Sequence, residues 1–170
     1  MNQESVLQFK MCLLGGSAVG KSSLIARFVH SIYSGHYHTT VGVRIEKKLV
    51  RTDQGQANLM IWDINGEDAY QKVQTTYLRG MAGYFLVADG TRDQTIDECL
   101  KLHARAIEGF GALPAYLLIN KSDLENEWQV DIKQLEQLGI HVLKTSALTG
   151  ENVELAFYHL AERMLERAKS

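Results

Sequence analysis

Residues 15–22 read Gly-Gly-Ser-Ala-Val-Gly-Lys-Ser and fit the pattern G-x-x-x-x-G-K-[ST]. Glycines at positions 15 and 20 permit backbone angles that a side chain would forbid, so the loop can curl and direct several N–H groups at one anion. Lys21 adds a full positive charge for the outer phosphates, and the Ser22 hydroxyl can ligate a magnesium ion. These residue types at this spacing predict a phosphate-binding loop.

The sequence on either side supplies the elements that position such a loop. Residues 6–14 are typical of a strand that becomes buried at its end, and residues 23–29 carry apolar side chains at helical spacing. A helix that begins at the loop contributes unpaired N–H groups and the positive end of its dipole. Strand, glycine-rich loop and helix together favour phosphate binding over a chance glycine-rich turn.

A second candidate group follows the strand that we predict over residues 57–63. Asp63 closes this strand, and an aspartate there can reach the shell of a magnesium ion, usually through water. Gly66, three residues later, can offer its N–H to a terminal phosphate. The alternative for Asp63 is a helix cap or a turn residue.

A third candidate group, Asn120-Lys121-Ser122-Asp123, follows the apolar strand predicted over 115–119. An aspartate carboxylate accepts two hydrogen bonds from adjacent N–H donors, which guanine presents and adenine does not. Asn120 can tie this loop to the phosphate loop, and the Lys121 stem can cover a purine face. Alone, the tetrapeptide is compatible with a solvated loop. A fourth candidate group, Thr145-Ser146-Ala147, follows the last predicted strand, and its backbone N–H can meet the guanine O6.

Composition limits the class of protein. The chain has 170 residues, enough for one domain, and its net charge of −2 gives no basic footprint for nucleic acid. Cys12 and Cys99 have no disulfide or metal-site spacing, so we expect core thiols in a reducing cytoplasm. The sequence shows no signal peptide, no bilayer-spanning apolar run and no carboxyl-terminal cysteine to prenylate, so a direct membrane anchor is not expected.

The order of predicted elements indicates an α/β fold in one domain, 1–170. Strands are predicted over 6–14, 43–52, 57–63, 82–88, 115–119 and 140–143, and helices over 23–29, 73–78, 93–110, 127–138 and 151–168. A turn at 53–56 makes its flanking strands antiparallel, whereas the later alternation of strand and helix makes the rest parallel. We therefore expect a six-stranded, mostly parallel sheet with one antiparallel strand, helices on both faces, and ligands at the carboxyl ends of the strands.

In these motifs the chain resembles the small GTPases of the Ras superfamily, over essentially its whole length. The matching segments are the phosphate loop 15–22, the first switch 40–42, the second switch 63–67, the base-specificity motif 120–123 and the final loop 146–147. The Rab branch is the most similar, through Thr40-Val41-Gly42-Val43, Trp62 before Asp63, and Tyr77-Leu78-Arg79-Gly80.

The resemblance implies a P-loop NTPase G domain that binds GTP or GDP with Mg²⁺ and hydrolyses GTP slowly. It also implies a monomeric switch whose two loops are ordered by GTP and read by effector proteins, with an exchange factor and a GTPase-activating protein as regulators. A scaffold that holds guanine nucleotide but hydrolyses little stays open. An ATP-dependent kinase is disfavoured, because residues 120–123 select guanine and the chain has no lid domain.

Residue roles follow from the same resemblance. Ser22 and Thr40 are implied direct ligands of magnesium, with Asp63 holding the ion through water. Lys21 and Gly66 are implied in catalysis, and Glu67 either orients the attacking water or is a solvated bystander. The residues implied in nucleotide binding are Ser17, Ala18, Val19, Gly20, Lys21, Ser22, Ser23, Tyr33, Tyr37, Thr40, Gly66, Asn120, Lys121, Asp123, Leu124, Ser146, Ala147 and Leu148. Tyr33 aligns with an aromatic residue that packs on the base, and Tyr37 with one that covers the phosphates.

Some positions depart from the family pattern. Glu67 stands where a glutamine usually orients the attacking water, and Leu148 where a lysine usually shields the base. The sequence at 89–92, Asp-Gly-Thr-Arg, differs from the usual one, and the lipidated tail is absent.

Three side-chain placements complete the expectations. Trp128 is predicted to pack at the edge of the domain. Cys99 is placed on an apolar helical stripe with Ile96, Leu100, Ala106, Ile107 and Phe110. A solvated face of an edge strand is predicted for Arg44, Lys47 and Lys48.

Overall fold

The structure is a computed structural model that describes residues 5–33, 43–64 and 75–170. The strands are β1 (Leu7–Leu14), β2 (Val43–Thr52), β3 (Gly55–Ile64), β4 (Met81–Asp89), β5 (Ala115–Asn120) and β6 (His141–Lys144). The helices are α1 (Lys21–His30), α2 (Thr75–Leu78), α3 (Gln94–Phe110), α4 (Ile132–Glu136) and α5 (Val153–Lys169), with a 3-10 helix at Ser122–Glu127.

The six strands form a sheet in the order β2-β3-β1-β4-β5-β6. β2 pairs antiparallel with β3, and the other neighbouring strands pair in parallel, which confirms the predicted fold class. The register aligns Leu13 with Asp63 and Asp89 with Asn120. Because parallel strands end at the same edge, the ends of β1, β3, β4 and β5 meet on one side of the molecule.

Helices cover both faces of the sheet, and alternation within β1 shows why. Met11 and Leu13 belong to the core beneath α1 and α5, whereas Cys12 and Leu14 belong to the core beneath α3. A strand buried on both faces needs such a continuous apolar run. Cys12 and Cys99 are buried free thiols, as expected for core residues.

The helix predicted over 127–138 is wrong in its first part. The 3-10 helix ends at Glu127, Trp128 is extended, and α4 begins only at Ile132. Asp131 caps α4, because its side chain accepts hydrogen bonds from the backbone N–H groups of Lys133 and Gln134. A cap residue takes non-helical angles, so a single continuous helix cannot run through this position.

Two side-chain expectations also need correction. The buried face of α3 is formed by Ile96, Cys99, Leu102 and Ala106, whereas Ile107, placed on the apolar stripe, is 44% exposed. Lys48 is not part of a solvated face, because its ammonium donates to the Phe28 carbonyl at 2.8 Å. Within the described ranges, no helix is long and apolar enough to cross a lipid bilayer.

Candidate nucleotide-binding site

The phosphate loop lies between β1 and α1, and two of its glycines are required by close approach. A Cβ atom at residue 15 would lie 2.3 Å from the Val87 carbonyl oxygen, and one at residue 20 would lie 2.2 Å from Asn120 Nδ2. Gly20 also has φ of 104°, in a region that disfavours side chains. Glycine at these positions therefore lets the loop fit against β4 and β5.

Lys21 lies across the inside of this loop. Its side chain is buried, and Nζ donates to the Gly15 and Gly16 carbonyl oxygens at 3.0 and 2.9 Å. Burial lowers the pKa of Lys21, an effect that the nearby Asp63 carboxylate opposes. The ammonium group is thus held against the carbonyl groups at the start of the loop, as a fixed positive charge for a bound anion.

Ser22 and Asp63 form the part of the site that fits a magnesium ion. The Ser22 hydroxyl donates to the Asp63 carboxylate, and Asp63 is 3% exposed at the end of β3. Hydroxyl and carboxylate oxygens are the ligand types that Mg²⁺ prefers, with its remaining positions filled by water and phosphate. The donor set therefore suits the ion that the sequence predicts, and these two residues would hold it.

A cleft of about 150 Å³ lies beside the phosphate loop and joins distant parts of the chain. It is lined by Gly20, Ser23, Tyr33, Asn120, Lys121, Asp123, Leu124, Ala147 and Leu148. The Asn120 side chain holds two of its walls together, since Nδ2 donates to the Val19 carbonyl at 3.0 Å while Oδ1 accepts from Thr145 Oγ1 at 3.2 Å. The predicted tie between residues 120–123 and the phosphate loop is present.

Asp123 lies at the mouth of this cleft with an exposed side chain. The buried Ser146 hydroxyl donates to its Oδ1 at 2.7 Å, which orients the carboxylate and leaves acceptor capacity for a ligand. Leu124 and Leu148 are 41% and 47% exposed, so both offer apolar surface to the cleft. Leu148 stands where the family usually has a lysine that shields the base.

Sequence reasoning missed Arg27. From α1 its Nε donates to the Ala147 carbonyl at 2.8 Å and its Nη2 to the Leu148 carbonyl at 2.5 Å. These bonds hold the last loop of the cleft against α1. A single arginine within an amphipathic helix gives no sequence signal for this role, because the partners are more than a hundred residues away.

For Trp128 the sequence predicts only packing at the edge of the domain, and the structure adds its partners. It lies beside residues 120–123, and its Nε1 donates to the Lys121 carbonyl at 3.0 Å. A Cβ atom on Gly90 would lie 2.1 Å from Trp128 Cε2, so the indole packs closely over that glycine. Trp128 therefore braces the loop that is predicted to recognise the base.

Asp89 and Arg92 form the least expected part of the site. Asp89 is 1% exposed at the end of β4, and its Oδ2 lies 2.8 Å from Lys121 Nζ and 3.0 Å from Arg92 Nε. Burial by itself would raise the pKa of Asp89, but hydrogen bonds from Lys121, Thr91 and Arg92 outweigh it and lower the pKa to about 2. Their only sequence signal is the unusual composition of residues 89–92.

The described part of the chain thus gathers most of the predicted nucleotide-binding residues around one cleft and its adjoining loop. Those at the phosphate loop are Ser17, Ala18, Val19, Gly20, Lys21, Ser22 and Ser23. Tyr37, Thr40, Gly66 and Glu67 lie outside the described residues, so their roles stay predictions.

Comparison with known proteins agrees with this arrangement. The Ras family model matches residues 10–166. The chain is 37% identical over 159 residues to the Ras-related protein RABA4b of Arabidopsis thaliana, covering 88% of this chain and 69% of that protein. Human Ras-related protein Rab-8B is 33% identical over 165 residues, with coverages of 94% and 79%. Ras-related protein Rab11A of Lotus japonicus is 38% identical over 159 residues, with coverages of 88% and 68%.

Proposed function

Because the chain belongs to the Ras family of small GTPases, in its Rab branch, we propose that it binds GTP and GDP with Mg²⁺ and hydrolyses GTP slowly. The observation that carries the proposal is the meeting of three separate segments at one cleft: the phosphate loop, residues 120–124 and residues 147–148. A phosphate loop alone would serve many nucleotides, whereas the exposed carboxylate of Asp123 across the cleft favours guanine.

In this proposal each wall of the cleft has its own task. Asp123 accepts from the guanine N1–H and N2–H groups, and Ser146 keeps its carboxylate in place. Tyr33 and the Lys121 stem cover the base, while the amides of residues 17–22 and the Lys21 ammonium bind the phosphates. Separate recognition of base and phosphate makes binding both tight and selective.

The Ser22 hydroxyl and the Asp63 carboxylate would hold the metal ion on the phosphate side, with Thr40 as the further predicted ligand. When bound, Mg²⁺ neutralises part of the charge on the outer phosphates. Thr40 and Gly66 are proposed to sense the terminal phosphate and so to report the state of the nucleotide. The switch then depends on contacts that GTP makes and GDP lacks.

We propose that Glu67 orients the attacking water by accepting a hydrogen bond, as the oxygen of a glutamine does. A carboxylate cannot donate to the phosphate, and its charge opposes the nearby anion. An arginine often stabilises the charge that develops during phosphoryl transfer, but the sequence has no arginine between Arg27 and Arg44, so the first switch supplies none. Intrinsic hydrolysis is therefore expected on the order of 10⁻⁴ to 10⁻² s⁻¹.

Effector proteins are proposed to bind near the first and second switches, where apolar side chains remain partly exposed. Ile45 is 48% exposed and lies in register with Trp62 on the neighbouring strand. The Trp62 and Tyr77 rings are 6.4 Å apart, which extends the apolar surface towards α2. We further propose an exchange factor and a GTPase-activating protein as regulators of a monomeric, cytoplasmic, single-domain protein.

Single-turnover hydrolysis tests the proposal. Purified protein is analysed for the nucleotide that it carries, then loaded with GTP and followed for phosphate release, alongside Glu67→Ala and Glu67→Gln, from pH 5.5 to 8.5. We expect the purified protein to carry guanine nucleotide and the parent to release phosphate slowly. Glu67→Ala should hydrolyse GTP clearly more slowly than the parent. Equal rates in all three proteins at every pH would contradict the role of Glu67, and absence of guanine nucleotide binding would contradict the function.

A further inference from the structure

Two cations bind the outward-facing carbonyl groups of the phosphate loop. Arg92 Nη2 donates to the Ser17 carbonyl at 2.9 Å, and Lys121 Nζ donates to the Ala18 carbonyl at 3.3 Å. Both cations also contact one carboxylate oxygen, Asp89 Oδ2. These contacts join two successive peptides of the phosphate loop to Asp89 at the end of β4, to Arg92 just before α3 and to Lys121 just after β5.

The geometry of the peptide group gives these contacts a consequence for anion binding. In a trans peptide the C=O and the following N–H point in opposite directions. A Ser17 carbonyl held by Arg92 therefore directs the Ala18 N–H away from Arg92, towards the inside of the loop. In the same way, the Ala18 carbonyl held by Lys121 directs the Val19 N–H away from Lys121.

The loop needs such restraint because one of its residues is strained. Ala18 has φ of 58°, a left-handed conformation that is unfavourable for a residue with a Cβ. The Ser17 and Ala18 side chains are both exposed, so their own packing does not fix this conformation. External hydrogen bonds to its carbonyl groups can fix it.

We propose that the Arg92–Asp89 pair is a positioning element of the phosphate loop, which holds the Ser17–Ala18 peptide with its N–H facing the phosphates and so slows the release of guanine nucleotide. This inference rests on the proposed function and adds to it residues outside the predicted nucleotide-binding motifs. Neither residue is proposed to touch the reacting atoms.

Arginine suits this position because its planar fork can donate to two acceptors at once, here a carboxylate and a carbonyl. Asp89 is itself fixed, since its Oδ1 accepts from the Thr91 N–H at 2.9 Å and from the Thr91 hydroxyl at 2.7 Å. The Arg92 side chain is 36% exposed, so it can be replaced without opening the core.

The test measures the release of fluorescent GDP from Arg92→Ala, Arg92→Lys and the parent protein, chased with excess GDP. We expect release about tenfold faster in Arg92→Ala, because a charge-assisted hydrogen bond to the loop is lost. The release rate of Arg92→Lys should lie between those of Arg92→Ala and the parent, because a single ammonium group replaces a guanidinium that contacts both Asp89 and the Ser17 carbonyl. Lys101→Ala is the matched control, because it removes an exposed cation from α3 and should leave the rate unchanged.

Base selectivity separates positioning of the phosphate loop from other effects. The ratio of the GDP release rate to the inosine diphosphate release rate should be the same in Arg92→Ala and the parent, because this substitution leaves the base contacts in place. Asp89→Asn should release GDP at least as fast as Arg92→Ala, and adding Arg92→Ala to it should bring little further change. Thermal unfolding of each variant verifies that it is folded.

Unchanged release in folded Arg92→Ala would overturn the inference, as would a changed base ratio or fully additive effects of Arg92→Ala and Asp89→Asn. A parent protein that binds no guanine nucleotide would instead overturn the proposed function. The two failures are therefore distinguishable in the same experiment.

Discussion

At the scale of single residues, the buried charge of Lys21 leads to the first prediction. Lys21→Ala should weaken GDP and GTP binding by at least about 100-fold, because charge-assisted hydrogen bonds to phosphate contribute roughly 1.5–3 kcal/mol each. Lys47→Ala, which removes an exposed cation from β2, is the control and should bind normally. Equilibrium titration with fluorescent nucleotide measures both. Near-normal retention of nucleotide by Lys21→Ala would refute phosphate binding at this loop.

Asp123 leads to a second prediction at this scale. In the parent protein the Ser146 hydroxyl donates to Asp123 Oδ1 at 2.7 Å. The substitution Asp123→Asn keeps an oxygen for that hydroxyl and places an NH₂ donor where the other carboxylate oxygen was. Two donors would then face each other at guanine N2, whereas xanthine has an oxygen there. We expect GTP affinity to fall about 10- to 100-fold and XTP to be preferred. Competition between GTP and XTP measures the change, and persistent preference for GTP would show that Asp123 does not read the base.

At the scale of elements, α1 and α5 depend on each other through aromatic packing. Phe157 stacks on Phe28 with ring centroids 3.8 Å apart and meets the edge of Phe85 at 4.9 Å, fully buried beneath the sheet. Phe157→Ala should lower the free energy of unfolding by about 3–5 kcal/mol, from lost burial and the cavity left behind.

Urea unfolding measures this loss of stability. Leu155→Ala serves as the control, because Leu155 lies on the same helix but is 42% exposed, and it should cost less than about 1 kcal/mol. Similar losses in the two variants would mean that the Phe28–Phe157 contact does not hold the two helices together. Because α1 begins at the phosphate loop, Phe157→Ala should also weaken nucleotide binding.

At the scale of the whole molecule, the cleft is built from segments that are far apart in sequence, so a bound nucleotide should stabilise the entire fold. A free nucleotide concentration of about 1,000 times the dissociation constant adds about 4 kcal/mol to the free energy of unfolding. For a domain of this size that raises Tm by about 8–16 °C. Thermal unfolding with GDP and Mg²⁺, with GDP and EDTA, and with ATP and Mg²⁺ tests this. EDTA should reduce the shift and ATP should give little; an equal shift with ATP would contradict guanine selectivity.

Much of this protein is determined by local sequence. Short windows of sequence predict the phosphate loop, the motif at 120–123 and the order of strands and helices along the chain. The signals are glycines, apolar runs and turn residues. The sheet and its single antiparallel strand follow from that pattern, because a short turn allows only antiparallel pairing and helical crossovers favour parallel pairing. The buried cysteines likewise follow from their positions within apolar segments.

Only the tertiary structure decided how these segments support one another. Arg27, Asp89 and Arg92 contact loops that are distant in sequence and that the folded sheet brings next to them, and no local pattern encodes such a partner. Asp131 sets the start of α4 at Ile132 rather than at 127, because its side chain caps the first backbone N–H groups of that helix. The Lys48 ammonium donates to the Phe28 carbonyl, which the sequence pattern of β2 does not indicate. Hydrogen-bond partners of this kind are set by position in space, which the sequence specifies only after the whole chain has folded.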